Sequence, residues 1–180
     1  VVAGNPAASD VVTGGTSGAT CILSSGTPID TGCIWKGELQ NQSFSGTGVQ
    51  CAIAGSTADA TRYKYLTTFA GASFRDNASV QSNALQFNTS NGAGITGTSA
   101  NTFTLDISDA ARVEGVQIAA TGSGGRGADI TDADVNINWC IVEGRYTAGS
   151  AAIGCVALRA ACTLRNSLVV LRTTGADHIV

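Results

Sequence analysis

The stretch Asp134–Gly144, DVNINWCIVEG, alternates polar and apolar residues through Val135, Ile137 and Trp139, then runs apolar from Cys140 to Val142. A period of two is the mark of a strand with one buried face, and it turns Ile137 and Trp139 inward. The same order recurs on either side, as ARVEGVQIAAT from Ala111 and as CTLRNSLVVLR from Cys162. Aligning the three segments places Val113, Ile137 and Leu164 in one row, Val116, Cys140 and Ser167 in a second, and Ile118, Val142 and Val169 in a third. The steps along the first row, from Val113 to Ile137 and from Ile137 to Leu164, are both in the twenties. A repeat of that length is too long for a hairpin, and nothing between the copies has a helical pattern. Such a chain buries its apolar faces by stacking one repeat on the next.

The connecting segments agree. TGSGGRGADITDA, from Thr121, and RYTAGSAAIGCVALRAA, from Arg145, are rich in the glycine and small residues that form corners, and IGCVAL adds a further apolar strand. The predicted fold is all-β: a right-handed parallel β-helix with two or three short strands per turn. Upstream, CIWKGELQNQSF, VQCAIAG, YKYLTTFAG, ALQFN, GITG and TFTLDIS read as the strands of earlier turns, and DNASVQSNAL, from Asp76, is the best short helical candidate. Residues 1–32 are too rich in Gly, Ser and Thr for a helix and too weakly patterned for a sheet, which predicts an extended amino-terminal arm. The β-helix body is assigned to residues 33–180. GADHIV at the end aligns with GSAAIG one turn earlier, so the next strand is just beginning there, and a longer natural polypeptide is expected.

Composition excludes several functions. With 13% charged residues and 43% hydrophobic ones, the chain has the apolar content of a folded protein and a largely neutral surface. A net charge of −3 gives no basic face for phosphates, so no nucleic-acid partner is expected. No apolar run approaches the roughly 20 residues that span a bilayer, so no membrane partner is expected either.

The segment STADATRYKYLTTFAGASFRDNASVQSNALQFNTSNGAGI, Ser56–Ile95, followed by rungs such as NWCIVEG and LRNSLVV, resembles β-helix proteins encoded among the structural genes of tailed bacteriophages. The resemblance covers roughly residues 33–180 and is concentrated in ATRY and in AGxSFRDNAxVQxNAL. It implies a virion-associated structural protein of the minor capsid, decoration or fibre type. Residues 1–32 would then dock on other virion proteins of the capsid or neck, in an oligomeric assembly. The resemblance carries no catalytic residues. The competing readings are a tailspike-type polysaccharide depolymerase and a bacterial surface adhesin.

Possible sites are few. GSGGRG, Gly122–Gly127, has the spacing of a dinucleotide loop, but a strand follows where that loop needs a helix, so no cofactor is expected and Arg126 reads as an exposed corner residue. Asp132, Asp134, Asn136 and Glu143 match calcium-loop spacing except at Ile137, where glycine is required; no metal is expected, and Asp129, Asp132 and Asp134 read as solvated corner carboxylates. Depolymerase chemistry needs two facing carboxylates about 5 to 9.5 Å apart. Glu114, Asn138 and Arg165 instead fall in a single line on successive rungs, and several aromatic rings are expected inside. Of six cysteines, Cys140 falls on an inward row, and Cys155 and Cys162 flank one turn. Cys21, Cys33 and Cys51 lie in or near the arm and are the candidates for intermolecular disulfides, formed after release from a reducing cytoplasm.

Overall fold

The computed structural model describes residues 11–13, 20–22, 34–76, 86–147 and 155–174. From Trp35 the chain is a parallel β-solenoid built on three sheets. The first sheet contains β3 (Trp35–Leu39), β6 (Lys64–Thr68), β9 (Ala111–Glu114), β12 (Val135–Asn138) and β15 (Thr163–Arg165). The second contains β4 (Ser43–Gly46), β7 (Gly94–Gly97), β10 (Gln117–Ala120), β13 (Ile141–Thr147) and β16 (Leu168–Thr174). The third contains β5 (Cys51–Ile53), β8 (Phe103–Ile107), β11 (Arg126–Ile130) and β14 (Val156–Leu158). Each of the first four turns therefore has three strands, the last described turn has β15 and β16, and every neighbour within these sheets is parallel.

Val113 pairs with Ile137 and Ile137 with Leu164, and Leu66 continues the row below Val113. On the second sheet the row is Phe44, Ile95, Ile118, Val142 and Val169. On the third, Ile53, Ile107, Ile130 and Leu158 are in register. These rows converge on one apolar column in which Leu105, Ile107, Val113, Ile118, Ile137 and Val142 are wholly buried. Burial fades toward the last rung, where Leu158 is 50% and Val169 43% exposed. Among the described residues no aromatic ring is fully buried in this core, although several are expected inside; Phe44, at the start of its row, is half-buried.

The turns have unequal lengths. Along the first sheet, Trp35 pairs with Lys64, Lys64 with Ala111, Ala111 with Val135, and Asn136 with Thr163, so the step from Lys64 to Ala111 is much the longest. The extra chain of that turn is an excursion between β6 and β7. Its final part crosses the outer face of the second sheet: Phe87 lies against Gly94, and Gln117, fully buried, accepts from the Asn88 N–H at 2.9 Å and donates to the Asn88 carbonyl at 3.1 Å. Residues 86–88 of ALQFN are thus a cover over the sheet and not one of its strands. The single helical turn among the described residues is a 3-10 turn, Thr89–Asn91. The helical candidate DNASVQSNAL lies outside the described residues from position 77 onward.

Within the arm, β1 (Val11–Thr13) pairs antiparallel with β2 (Thr20–Ile22), Val12 opposite Cys21. Over those two segments the extended chain is paired with itself. Backbone pairing satisfies groups that a weakly patterned sequence gives no side-chain reason to bury.

Candidate functional site

The corner from the first to the second sheet is a stacked device. Gly115, Trp139 and Asn166 follow β9, β12 and β15, and all three have left-handed backbones, with φ of 72°, 54° and 50°. Glycine and asparagine accept this conformation readily; a side chain such as Trp adopts it at a cost of about 1 to 2 kcal/mol. Trp139 is 40% exposed, so core burial does not offset that cost. The inward orientation expected from sequence fails for a geometric reason: the period of two holds only within a strand, and Trp139 sits where β12 ends and the chain changes sheets.

Something else holds the indole. The Arg75 guanidinium lies 4.4 Å from its ring centroid, and Arg75 Nη1 is 3.9 Å from Glu114 Oε1. Glu114 Oε2 accepts from the Tyr65 hydroxyl at 2.8 Å; burial first, and this hydrogen bond second, raise the tyrosine's pKa. Arg75 itself is brought over the sheet by the start of the excursion, where buried Ser73 donates to the Gly115 carbonyl at 3.1 Å and accepts from the Arg75 N–H at 3.2 Å. One polar chain of contacts thus spans three rungs, Tyr65 to Glu114 to Arg75 to Trp139.

This chain lies on the outer face of the first sheet. One outward row is Lys36, Tyr65, Arg112, Asn136 and Thr163; the other begins with Glu38 and Thr67 and continues through Glu114, Asn138 and Arg165. The single line of Glu114, Asn138 and Arg165 is present, each paired with the next. At the corner Asn166 Nδ2 donates to Asn138 Oδ1 at 2.9 Å. Arg112 is braced by the Tyr63 ring at 4.5 Å and by the Asp134 carbonyl at 2.7 Å. Counting the two rows with Arg75 gives four cations, Lys36, Arg75, Arg112 and Arg165, against Glu38 and Glu114, an excess of two positive charges on a chain of net −3.

Asp109, Asp129 and Glu143 are each spent on bracing. Asp109 meets Lys64 Nζ at 2.8 Å and accepts from the Ser56 N–H and hydroxyl, each at 2.9 Å. Burial alone would raise this carboxyl, but Lys64 and Ser56 outweigh it and hold its pKa below the ordinary value. Asp129 is buried in β11 and pairs with Arg159 at 2.6 Å; Glu143 is buried in β13 and pairs with Arg172. Asp129 is therefore not a solvated corner residue, because the next rung delivers a guanidinium to it. Asp132 accepts from the Asp134 N–H at 2.8 Å, an ordinary turn contact, while Asn136 and Glu143 lie in separate strands, so the calcium-loop spacing does not close around a common point. No group of three or more His, Cys, Asp or Glu among the described residues is arranged to hold a metal ion. Gly122–Gly127 forms a rung corner leading into β11, and Arg126 is half-buried there, its guanidinium 4.7 Å from the Phe103 ring, instead of exposed.

Cys51 lies at the start of β5 in register with Leu105 and packs against the core; burial raises its pKa. The column, not the arm, accounts for its place. The Cys140 thiol, deeply buried, is pushed up to about 12 by desolvation. Cys51, Cys140, Cys155 and Cys162 are all free thiols, and Cys155 donates to the Val170 carbonyl at 2.8 Å. The side chains of Cys21 and Cys33 lie outside the described residues, as does His178.

Among the described residues no helix is long and apolar enough to cross a membrane. No family model, curated protein or solved structure matches the chain. The class that stands on its own geometry is the parallel β-solenoid, with a positively biased, aromatic-bearing face on its first sheet.

Proposed function

We propose that this chain is a non-enzymatic structural element of a tailed-phage particle, a rigid β-helix held on the capsid or neck through residues 1–32. The observation that carries the non-enzymatic part is the use of Asp109, Asp129 and Glu143. Each is buried and locked to a cation elsewhere on the solenoid, so these carboxylates hold the rod together and do not face one another across an open groove as a hydrolase pair does. A glycan hydrolase needs one carboxyl that protonates near working pH beside one that stays ionised. The particle assignment itself draws on the likeness of Ser56–Ile95 to phage structural β-helices.

Deleting residues 1–32 tests both halves. Incorporation into particles should be lost, while the body keeps its β-rich circular dichroism. Incorporation of the truncated chain at the normal level would refute arm-mediated docking, and release of reducing ends from host polysaccharide by the body would refute the non-enzymatic reading. Cys21 and Cys33 add a covalent version of the docking: non-reducing gels of particles should show species larger than the monomer that reductant collapses. Migration as a monomer would remove the cross-link and leave non-covalent attachment.

A further inference from the structure

We propose that the outer face of the first sheet, centred on Trp139, binds an acidic polysaccharide. This goes beyond the structural role and does not depend on the particle assignment. The starting observation is the placement of the indole. At the equivalent corner of the adjoining rungs stand Gly115 and Asn166, residues that suit a left-handed backbone, whereas Trp139 takes the same conformation and still leaves 40% of its surface to solvent. Strain retained at an exposed, bulky side chain points to a task outside the core. The buried core cluster contains no aromatic ring, so core packing does not call for this one.

The groups around the indole suit a sugar acid. A pyranose ring offers a C–H face that stacks on an aromatic surface, and Arg75 holds the indole in place. Its hydroxyls need donors and acceptors in a fixed geometry. Asn138 and Asn166, joined by one hydrogen bond, keep a free amide donor and a free carbonyl lone pair. Its carboxylate needs a guanidinium: Arg165 is exposed, adjacent to Asn138 in the outward row, and its carbonyl accepts from the Trp139 N–H at 3.3 Å. The two excess positive charges of this face select an anionic polymer over a neutral one. The rung repeat of about 4.8 Å, near half the length of a disaccharide, allows successive sugars to meet successive rows.

The test uses the full chain with oligogalacturonate and hyaluronate as probes and neutral dextran of matched length as control, read by calorimetry and by indole fluorescence. Both acidic probes, or one of them, should bind and dextran should not. Trp139→Asn, which installs the residue already used at position 166, should keep the melting temperature and weaken binding about tenfold or more. Arg165→Gln should weaken binding and flatten its salt dependence, whereas Arg159→Gln, just past β14 and away from this face, should leave it unchanged. The proposal is overturned if neither acidic probe binds at millimolar concentration, if dextran binds equally well, or if Trp139→Asn binds as tightly as the wild type. Retention of the fold by Trp139→Asn keeps each of these outcomes interpretable.

Discussion

The stacked rows make a quantitative prediction about position along the solenoid. Ile137 is fully buried, with Val113 in register on one side and Leu164 on the other, so replacing it with alanine removes three carbons from a closed site. At about 0.8 kcal/mol per buried carbon the transfer loss is roughly 2.4 kcal/mol, and the unfilled cavity raises the total to about 3 to 4 kcal/mol. Leu164→Ala removes the same number of carbons, but Leu164 is only half-buried and lies on the last described rung of its sheet. In a chain of residues 1–180, about half the transfer loss applies there and no closed cavity forms, giving roughly 1 kcal/mol. The measurement is urea unfolding followed by circular dichroism and by fluorescence, so that any loss of two-state behaviour in a repeat fold is seen as non-coincident transitions. A cost for Leu164→Ala equal to or above that of Ile137→Ala would refute the gradient and show that the last rung is covered as tightly as the middle.

Gly122→Ala should destabilise the fold by about 3 kcal/mol or more, because a Cβ there would stand 2.3 Å from the Ser99 carbonyl oxygen and 2.6 Å from that of Thr98, backbone atoms of the preceding rung that cannot step aside; a melting temperature unchanged from wild type would contradict the tight corner. Asp109 has a folded-state pKa depressed below its ordinary 3.8, so its contribution is present above that value and is lost as pH falls through the lower folded one. Asp109→Asn should therefore cost stability at neutral pH and progressively less in strong acid, and an equal cost under both conditions would contradict the ion pair with Lys64. Cys140, with its thiol pushed up to about 12, should resist alkylation in the native chain at mildly alkaline pH and react fully in urea, as mass spectrometry of the modified peptide would show. Native modification of Cys140 at the unfolded rate would overturn its burial.

The rows are legible in the order of amino acids alone. Val113, Ile137 and Leu164, and likewise Ile118, Val142 and Val169, can be aligned by eye because a solenoid reuses one local pattern at each turn. A period of two within each strand and a regular step between strands then leave little choice of register. The line of Glu114, Asn138 and Arg165 follows from the same arithmetic. Everything decided at corners and between distant segments is hidden from such a reading. Trp139 reads as inward because alternation is counted through a corner, where a left-handed residue ends the strand's phase. Asp129 and Arg126 read as solvated because their partners, Arg159 and Phe103, belong to adjoining rungs and arrive only when the rungs stack. Gln117, a polar residue in a strand, is buried because the excursion of the second turn folds across it and meets its amide. Local pattern settles which residues share a row, since that depends on backbone period alone. Which faces are covered, and which charges are paired, depends on the path of chain segments whose lengths carry no periodic signal, so these features emerge only in the folded chain.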